Sequence, residues 1–202
     1  MNKHERRAIE SYGKIAGTYD DSFEGRFTLP FNQKLTEVVK LPDNGRLLDV
    51  ACGNGRLLKM LQHKNTFDGY GTDISHDMIK VASRDIPDMT FMTASCDRLP
   101  FDNSFFDVIT VCAAFHHFPD IDAFAKEAKR VLKPNGSLYI ADVYYSPLLR
   151  ILINPFIRFH PSGDVRLYSP KEIKNLLQKF GFKCDEALIE NNMQTIIAHN
   201  IS

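Results

Sequence analysis

The chain has no tryptophan and only four cysteines, at positions 52, 96, 112 and 184. No two of them form a C-x-x-C pair and no regular framework joins them. That argues against a disulfide scaffold and against a zinc site, and it points to a reducing compartment. Net charge is missing too, since 25 Lys and Arg balance 25 Asp and Glu. No global field therefore draws the chain to nucleic acid or to an anionic membrane. The local basic groups, Arg6-Arg7 and Lys126, Lys129, Arg130 and Lys133, read as solvated helix faces. No apolar run approaches the ~18 residues of a membrane span, and Met1–Arg7 lacks the apolar core of a signal peptide. Internal repeats and low-complexity segments are absent. The expectation is a cytoplasmic protein with no membrane span.

What is present is enough apolar material for one domain with a sizeable core: 202 residues, 44% of them hydrophobic. From about residue 46 strand-like and helix-like periods alternate. Strands are expected over 46–51, 67–73, 90–94, 105–112 and 137–143. Between them lie helices over 55–62, burying Leu57, Leu58 and Leu61, and over 76–85, with Met78, Ile79 and Ala82 inward. A third helix carries Ile121, Phe124, Ala125, Ala128, Val131 and Leu132 on one stripe and is stopped by Pro134-Asn135-Gly136. Ser169-Pro170-Lys171-Glu172 has the capping-box pattern and opens a helix that ends at Gly181. Two last strands, 183–189 and 194–199, are joined by Glu190-Asn191-Asn192 alone. That link is too short for a crossover, so they must be an antiparallel hairpin. The rest of the alternation implies an α/β fold, a parallel sheet with helices on both faces.

Two stretches stand outside the rhythm. Residues 1–45 hold two helix-like segments, 3–16 and 30–41, around Thr18-Tyr19-Asp20-Asp21, and form an N-terminal helical cap. Residues 144–168 are a long aromatic and aliphatic connection with Tyr144, Tyr145, His160 and Arg166 in or beside it. A connection of that length inside a compact domain is usually functional, and it reads as a lid-like insertion.

The most informative segment is Leu47-Leu48-Asp49-Val50-Ala51-Cys52-Gly53-Asn54-Gly55. A buried strand ends in an acid, then in small residues and glycines where a helix begins, so the backbone is left bare for a ligand. In open α/β sheets ligands bind beyond the carboxyl ends of the strands, where strand order reverses. Asp73, Cys96-Asp97 and Ala113–His117 follow the ends of successive strands. An acid at position 73 can accept hydrogen bonds from both hydroxyls of a ribose. The G-x-G-x-x-G of a nicotinamide site fails because Leu58 takes the last place, and the Gly-Lys-Ser/Thr of a Walker loop is absent. What remains is a nucleoside without a diphosphate.

These segments resemble the motifs of class I S-adenosylmethionine-dependent methyltransferases. Leu48–Gly55 is similar to the first motif and Gly71–Ser75 to the second. Cys96–Phe101 and Phe105–Ile109 are similar to the third and fourth, and His116-His117-Phe118 and Arg130–Gly136 complete the set. The resemblance covers about residues 10–143, in order, and is closest to the small-molecule branch that includes ubiquinone/menaquinone-biosynthesis methyltransferases. It implies a Rossmann-like, doubly wound seven-stranded sheet, parallel but for one strand, with S-adenosyl-L-methionine as cofactor. It further implies that Asp49, Ala51 and Gly53 face the methionine portion, with Cys52 beside them in the cofactor-binding loop and Gly53 and Gly55 allowing close backbone approach. Asp73 would hold the ribose; Ile74 and Met78 would pack on the adenine. Asp97 would accept from the adenine amino group beside the Cys96 and Arg98 backbone. Cys112 and Ala113 would lie near the sulfonium, and Tyr19 would close the pocket. One departure is visible: Ala51 stands where the family usually has glycine.

His116 and His117 are the candidates for a general base, since imidazole titrates near neutrality. No metal is expected, because the pair lacks a further ligand at convincing spacing. Asp107 reads as structural, and the cysteines as packing residues. The reading is methyl transfer to a small, partly apolar acceptor, with no nucleic acid partner. A non-catalytic protein that binds S-adenosylmethionine or S-adenosylhomocysteine, or an RNA or protein methyltransferase, would share the same cofactor half.

Overall fold

The computed structural model describes residues 2–201; Met1 and Ser202 lie outside the described residues. Leu47, Leu48, Asp49 and Val50 are all buried, which only a strand covered on both faces allows. That strand, β1 (Gly45–Val50), lies inside the sheet. In chain order follow α3 (Arg56–Gln62), β2 (Phe67–Asp73), α4 (His76–Asp85), β3 (Thr90–Thr93), β4 (Phe106–Cys112), α5 (Ile121–Val131) and β5 (Leu132–Val143). α1 (Lys3–Ile15) and α2 (Phe23–Val38) precede them. α6 (Pro147–Ile157), α7 (Pro170–Lys179), β6 (Phe182–Cys184), β7 (Leu188–Glu190) and β8 (Met193–Asn200) close the chain.

Across the sheet the order is β3-β2-β1-β4-β5-β8-β6, with β7 also on β8. The first five strands pair in parallel, and β8 runs antiparallel to β5, β6 and β7. The expected strand 183–189 is thus two short pieces along one edge of β8, so eight strands fill seven positions. Asp185 and Glu186 fall in the gap, and Asp185 turns to His199 at 3.2 Å; acidic residues fit a ladder poorly. The hairpin turn is as tight as expected. Asn191 and Asn192 have φ of 46° and 62°, the pair of left-handed residues that a two-residue turn needs.

Period two divides the core. Leu48, Val50, Ile109, Val111, Leu138 and Ile140 point to one face and pack with Phe124, Ala128, Ile173 and Leu177 of α5 and α7. Leu47, Val108, Tyr139 and Ala141 point to the other and pack with Leu35 of α2 and with Leu57, Leu58 and Leu61 of α3. Ser169 and Glu172 form the capping box, with bonds of 3.2 and 2.8 Å. Asp107 is structural: it accepts from the Arg46 backbone N–H at 2.9 Å and from Lys133 Nζ at 2.7 Å.

Two boundaries differ from expectation. Leu132 leaves the α5 stripe and starts β5 opposite Phe106, and Asn135, at φ 63°, sits in an irregularity of that strand. Pro134-Asn135-Gly136 therefore lies in an irregular stretch of β5, where residues 133–136 face Asp107 alone, and is not a helix stop. α2 begins at Phe23, not Pro30, because Ser22 caps it by accepting from the Gly25 N–H at 3.0 Å. α1 buries no residue in the core. Asn2 and Glu5 cap it reciprocally, and it is free to serve as a cover.

Candidate functional site

β1 pairs with β2 on one side and β4 on the other, so the chain order reverses beside β1 and a crevice opens beyond its carboxyl end. The loop that leaves β1 is bent three times into the left-handed region, at Ala51 (φ 59°), Gly53 (φ 55°) and Gly55 (φ 80°). Each bend has its own reason. A Cβ placed on Gly53 would meet nothing within 4 Å, so this Cα is bare toward open space. A Cβ on Gly55 would stand 2.8 Å from Ile86 and 3.2 Å from the Phe91 ring. Gly55 is thus demanded by the packing of the loop on α4 and β3, not by ligand approach. Ala51 holds a conformation that costs an L-residue about 1–2 kcal/mol.

Asp73 ends β2 and holds this loop in place. Its Oδ2 accepts from the Gly53 N–H at 2.9 Å and its Oδ1 from the Ser75 N–H at 2.8 Å. Burial pushes its carboxyl above the ordinary value, and the backbone donors pull the other way. Asp49 lies behind the loop, 1% exposed, with Thr110 Oγ1 donating to Oδ1 at 2.7 Å. Burial pushes it up to about 7, with the Asp73 charge adding to the shift.

The crevice holds about 850 Å³ of empty space, with the open solvent at its mouth included. Ala51, Gly53 and Asp73 line one wall, continued by Ile74, Ser75 and Met78 at the start of α4. Ala94, Ser95 and Cys96 follow β3; Cys112 ends β4 and Ala113 and Ala114 follow it; His117, Phe118 and Pro119 finish the rim. The cover comes from the N-terminal segment, as Glu5, Ala8 and Tyr12 of α1, then Tyr19 and Thr28. Tyr19 Oη and Thr28 Oγ1 bond at 3.1 Å. The cap is buckled to the loop by Asp20, which accepts from Asn54 Nδ2 and Arg56 Nε, both at 2.8 Å. Arg56 also donates to the Gly25 carbonyl and lies over the Tyr19 ring, 5.4 Å from its centroid.

The histidine pair splits. His116 is buried and turned away from the cavity; Asp142 Oδ2 accepts from its backbone N–H at 2.9 Å, and Oδ1 lies 2.6 Å from its Nδ1. Burial alone would lower its pKa, but the Asp142 carboxylate raises it above the ordinary value. His117 lines the cavity and meets Tyr12 Oη through Nε2 at 3.2 Å. Burial and the neighbouring His116 push it down to about 3. Burial raises Cys52 and Cys112 well above the ordinary thiol value and Cys96 to about 12, so none is a thiolate at neutral pH.

Of the residues singled out from sequence, Tyr19, Ala51, Gly53, Asp73, Ile74, Met78, Cys96, Cys112, Ala113 and His117 meet on this cavity. Asp49, Cys52, Gly55, Asp97, Arg98 and His116 do not line it. Cys52 is buried against Gly71, Asp97 is half-buried and Arg98 exposed. Tyr12, Phe118 and the Asp20–Arg56 clasp were not anticipated. No residue of 144–168 lines the cavity. That segment instead exposes Leu148, Ile151, Leu152 and Phe156 on α6 and reaches the site through Asp164, 3.0 Å from His117 Nδ1.

The sequence profile described as Methyltransferase domain matches residues 48–140, which span the loop, Asp73 and the His pair. A chain of the Haloferax volcanii complex that contains the Trm112 methyltransferase activator superposes with a TM-score of 0.82 at 19% identity, over 95% of this chain and 98% of that one. The chain has the class I S-adenosylmethionine-dependent methyltransferase fold. It is 26% identical to the demethylmenaquinone methyltransferase of Thermotoga maritima over 90% of each chain. To the ubiquinone/menaquinone biosynthesis C-methyltransferase UbiE of Rickettsia bellii it is 31% identical, over 58% of this chain and about half (51%) of that one. Fold and relatives together point to S-adenosylmethionine as the bound cofactor. The open side of Gly53 and the acceptor oxygens of Asp73 suit such a nucleoside. Among the described residues no helix is long and apolar enough to cross a membrane.

Proposed function

We propose that this methyltransferase acts as one domain and methylates a small, partly apolar acceptor, with residues 1–45 as cap and 144–168 as lid. The observation that carries the reading is the asymmetry of the cavity. One wall offers bare backbone and the Asp73 carboxylate; the other is built from Ala8, Tyr12, Ala114, Phe118 and Pro119. In this reading the backbone of Ala51 to Gly53 carries the amino-acid portion of the cofactor and Asp73 accepts from both ribose hydroxyls. Ile74 and Met78 pack on the adenine, while Cys96 and Asp97 meet its edge. Cys112 and Ala113 flank the sulfonium, and Tyr19 closes that end. When bound, S-adenosylmethionine supplies a methyl group already electrophilic on sulfur.

The work left to the protein is orientation and exclusion of water, which in favourable systems supplies ~7–11 kcal/mol. The apolar wall fixes the acceptor and the α1 cover excludes solvent. His117, seated by Tyr12, faces the acceptor. His116 does not line the cavity and is itself held in place by Asp142. The apolar face of α6 and the placing of Asp164 beside His117 support a lid role for 144–168. Absence of a net charge supports a partner other than nucleic acid, and four free cysteines support a reducing, cytoplasmic site of action.

The test uses labelled S-adenosylmethionine with three pools: reduced quinols and phenols, folded RNA, and protein. Label is expected in the first. Label in RNA or protein with none in the small-molecule pool would overturn the proposal.

A further inference from the structure

His116, His117 and Asp164 each offer one ligand atom, and these atoms all lie within 4.8 Å of one another. The sequence spacing gave the histidine pair no further ligand; the fold brings one from the lid segment. His116 Nε2 stands 3.7 Å, and His117 Nδ1 3.0 Å, from the same Asp164 oxygen. Zinc in a tetrahedral site, with bonds of about 2.1 Å, separates its ligand atoms by about 3.4 Å. The two separations straddle that value.

Each group is aimed from outside. Asp142 engages His116 Nδ1 at 2.6 Å, which leaves Nε2 turned toward Asp164. Tyr12 engages His117 Nε2, which leaves Nδ1 turned the same way. Ser162 Oγ donates to Asp164 Oδ1 at 2.8 Å. The backbone N–H groups of Val165 and Arg166 donate to the His116 carbonyl at 2.9 and 3.2 Å, so the lid segment is fastened to the pair. His117 Nδ1 is buried without a hydrogen-bond partner, although a carboxylate oxygen lies 3.0 Å away. The two are close but out of line for an N–H to bridge. Two imidazole nitrogens and a carboxylate converging in this way form a donor set that a cation would satisfy.

We propose that His116, His117 and Asp164 bind a divalent transition-metal ion of the zinc class. Two nitrogens and one oxygen suit zinc or cobalt better than magnesium or calcium, which take mostly oxygen. Asp142 is then the carboxylate that orients a ligating histidine from behind. A fourth position is left for water. The ion ties the lid segment to the strand ends and fixes the His117 ring on the cavity wall.

The experiment is titration of chelator-treated full-length protein with Co²⁺ and Zn²⁺, followed by calorimetry and by visible absorption. One equivalent of Co²⁺ per chain is expected, with the intense d–d bands of a four-coordinate ion, displaced by Zn²⁺. D164N and H117Q should each weaken binding at least ~tenfold, while H63Q, on a remote helix end, should not. A cooperative urea melt of each variant, followed by far-UV circular dichroism, checks that it is folded. A wild-type protein with no saturable site, as expected if a shared proton satisfies the cluster instead, overturns the proposal. So does a site that D164N and H117Q bind equally well.

Discussion

Replacing Asp73 by asparagine probes the assignment of the adenosyl site most directly. Each carboxylate oxygen already accepts one backbone N–H, from Gly53 and from Ser75. An amide of the same shape keeps one acceptor and turns its NH₂ toward the other N–H. One buried donor therefore loses its partner, at about 1–3 kcal/mol of stability. The ligand cost is larger. Hydrogen bonds to a charged group contribute ~1.5–3 kcal/mol each, so losing charge-assisted bonds to two ribose hydroxyls puts the ceiling at ~3–6 kcal/mol. A rise in the dissociation constant of S-adenosylhomocysteine of at least ~100-fold, about 2.7 kcal/mol, is expected by calorimetry. A loosened loop alone would also weaken binding, so the ligand must be varied too. The 2′,3′-dideoxy analogue should bind wild type far more weakly than the parent, yet D73N should scarcely distinguish the two. Such a double-mutant cycle isolates the carboxylate–ribose interaction. If D73N still discriminates between parent and analogue as wild type does, Asp73 is not the ribose acceptor.

Other substitutions test other parts of the site. Burial holds Asp49 up to about 7 against an ordinary 3.8, so its contribution to stability is whole below about pH 4 and is lost as pH rises through 7. D49N removes that loss. Urea melts should show the variant equal to wild type near pH 4 and more stable at pH 8, by at most about 4 kcal/mol; a gap independent of pH would refute the shift. A51G releases a left-handed alanine, offset in part by added chain entropy, and should raise stability by about 0.5–1 kcal/mol in the same assay. G25A is expected to cost about 1–3 kcal/mol and to weaken S-adenosylhomocysteine binding, because the new Cβ would lie 1.9 Å from the Tyr19 carbonyl oxygen. L152S with F156S should leave the melting temperature unchanged, since both side chains are exposed. If 144–168 is a lid, the same pair should lower kcat/KM for an apolar acceptor; unchanged kcat/KM would count against it.

The parts of the fold that could be read in sequence are those where one local rule sufficed. Leu57, Leu58 and Leu61, or Ile173 and Leu177, repeat at helix spacing and are buried where that spacing puts them. The last hairpin was fixed by a link too short for anything else. Errors came where a tertiary partner overrode the local pattern. Leu132 fits the α5 stripe, but Phe106 across β4 draws it into the ladder. Pro30 looks like a helix start, but Ser22 caps the helix earlier.

The site divides in the same way, and for the same reason. The wall formed by strand ends was legible because bare backbone and an acid at a strand terminus have few other uses in an open α/β sheet. Gly53 and Gly55 look alike in sequence, yet one faces the cavity and the other faces Ile86 and Phe91; only packing tells them apart. The cover was barely legible because its function is spread over residues whose local pattern is ordinary. Tyr12 is one polar-tipped ring on an exposed helix until His117 comes within 3.2 Å of it. Asp20 is one acid in a turn until Asn54 and Arg56 converge on it. A clasp of this kind joins the cap to the loop that Asp73 also holds. Cap position and cofactor loop are thereby mechanically linked, and disturbing either should be felt at the other.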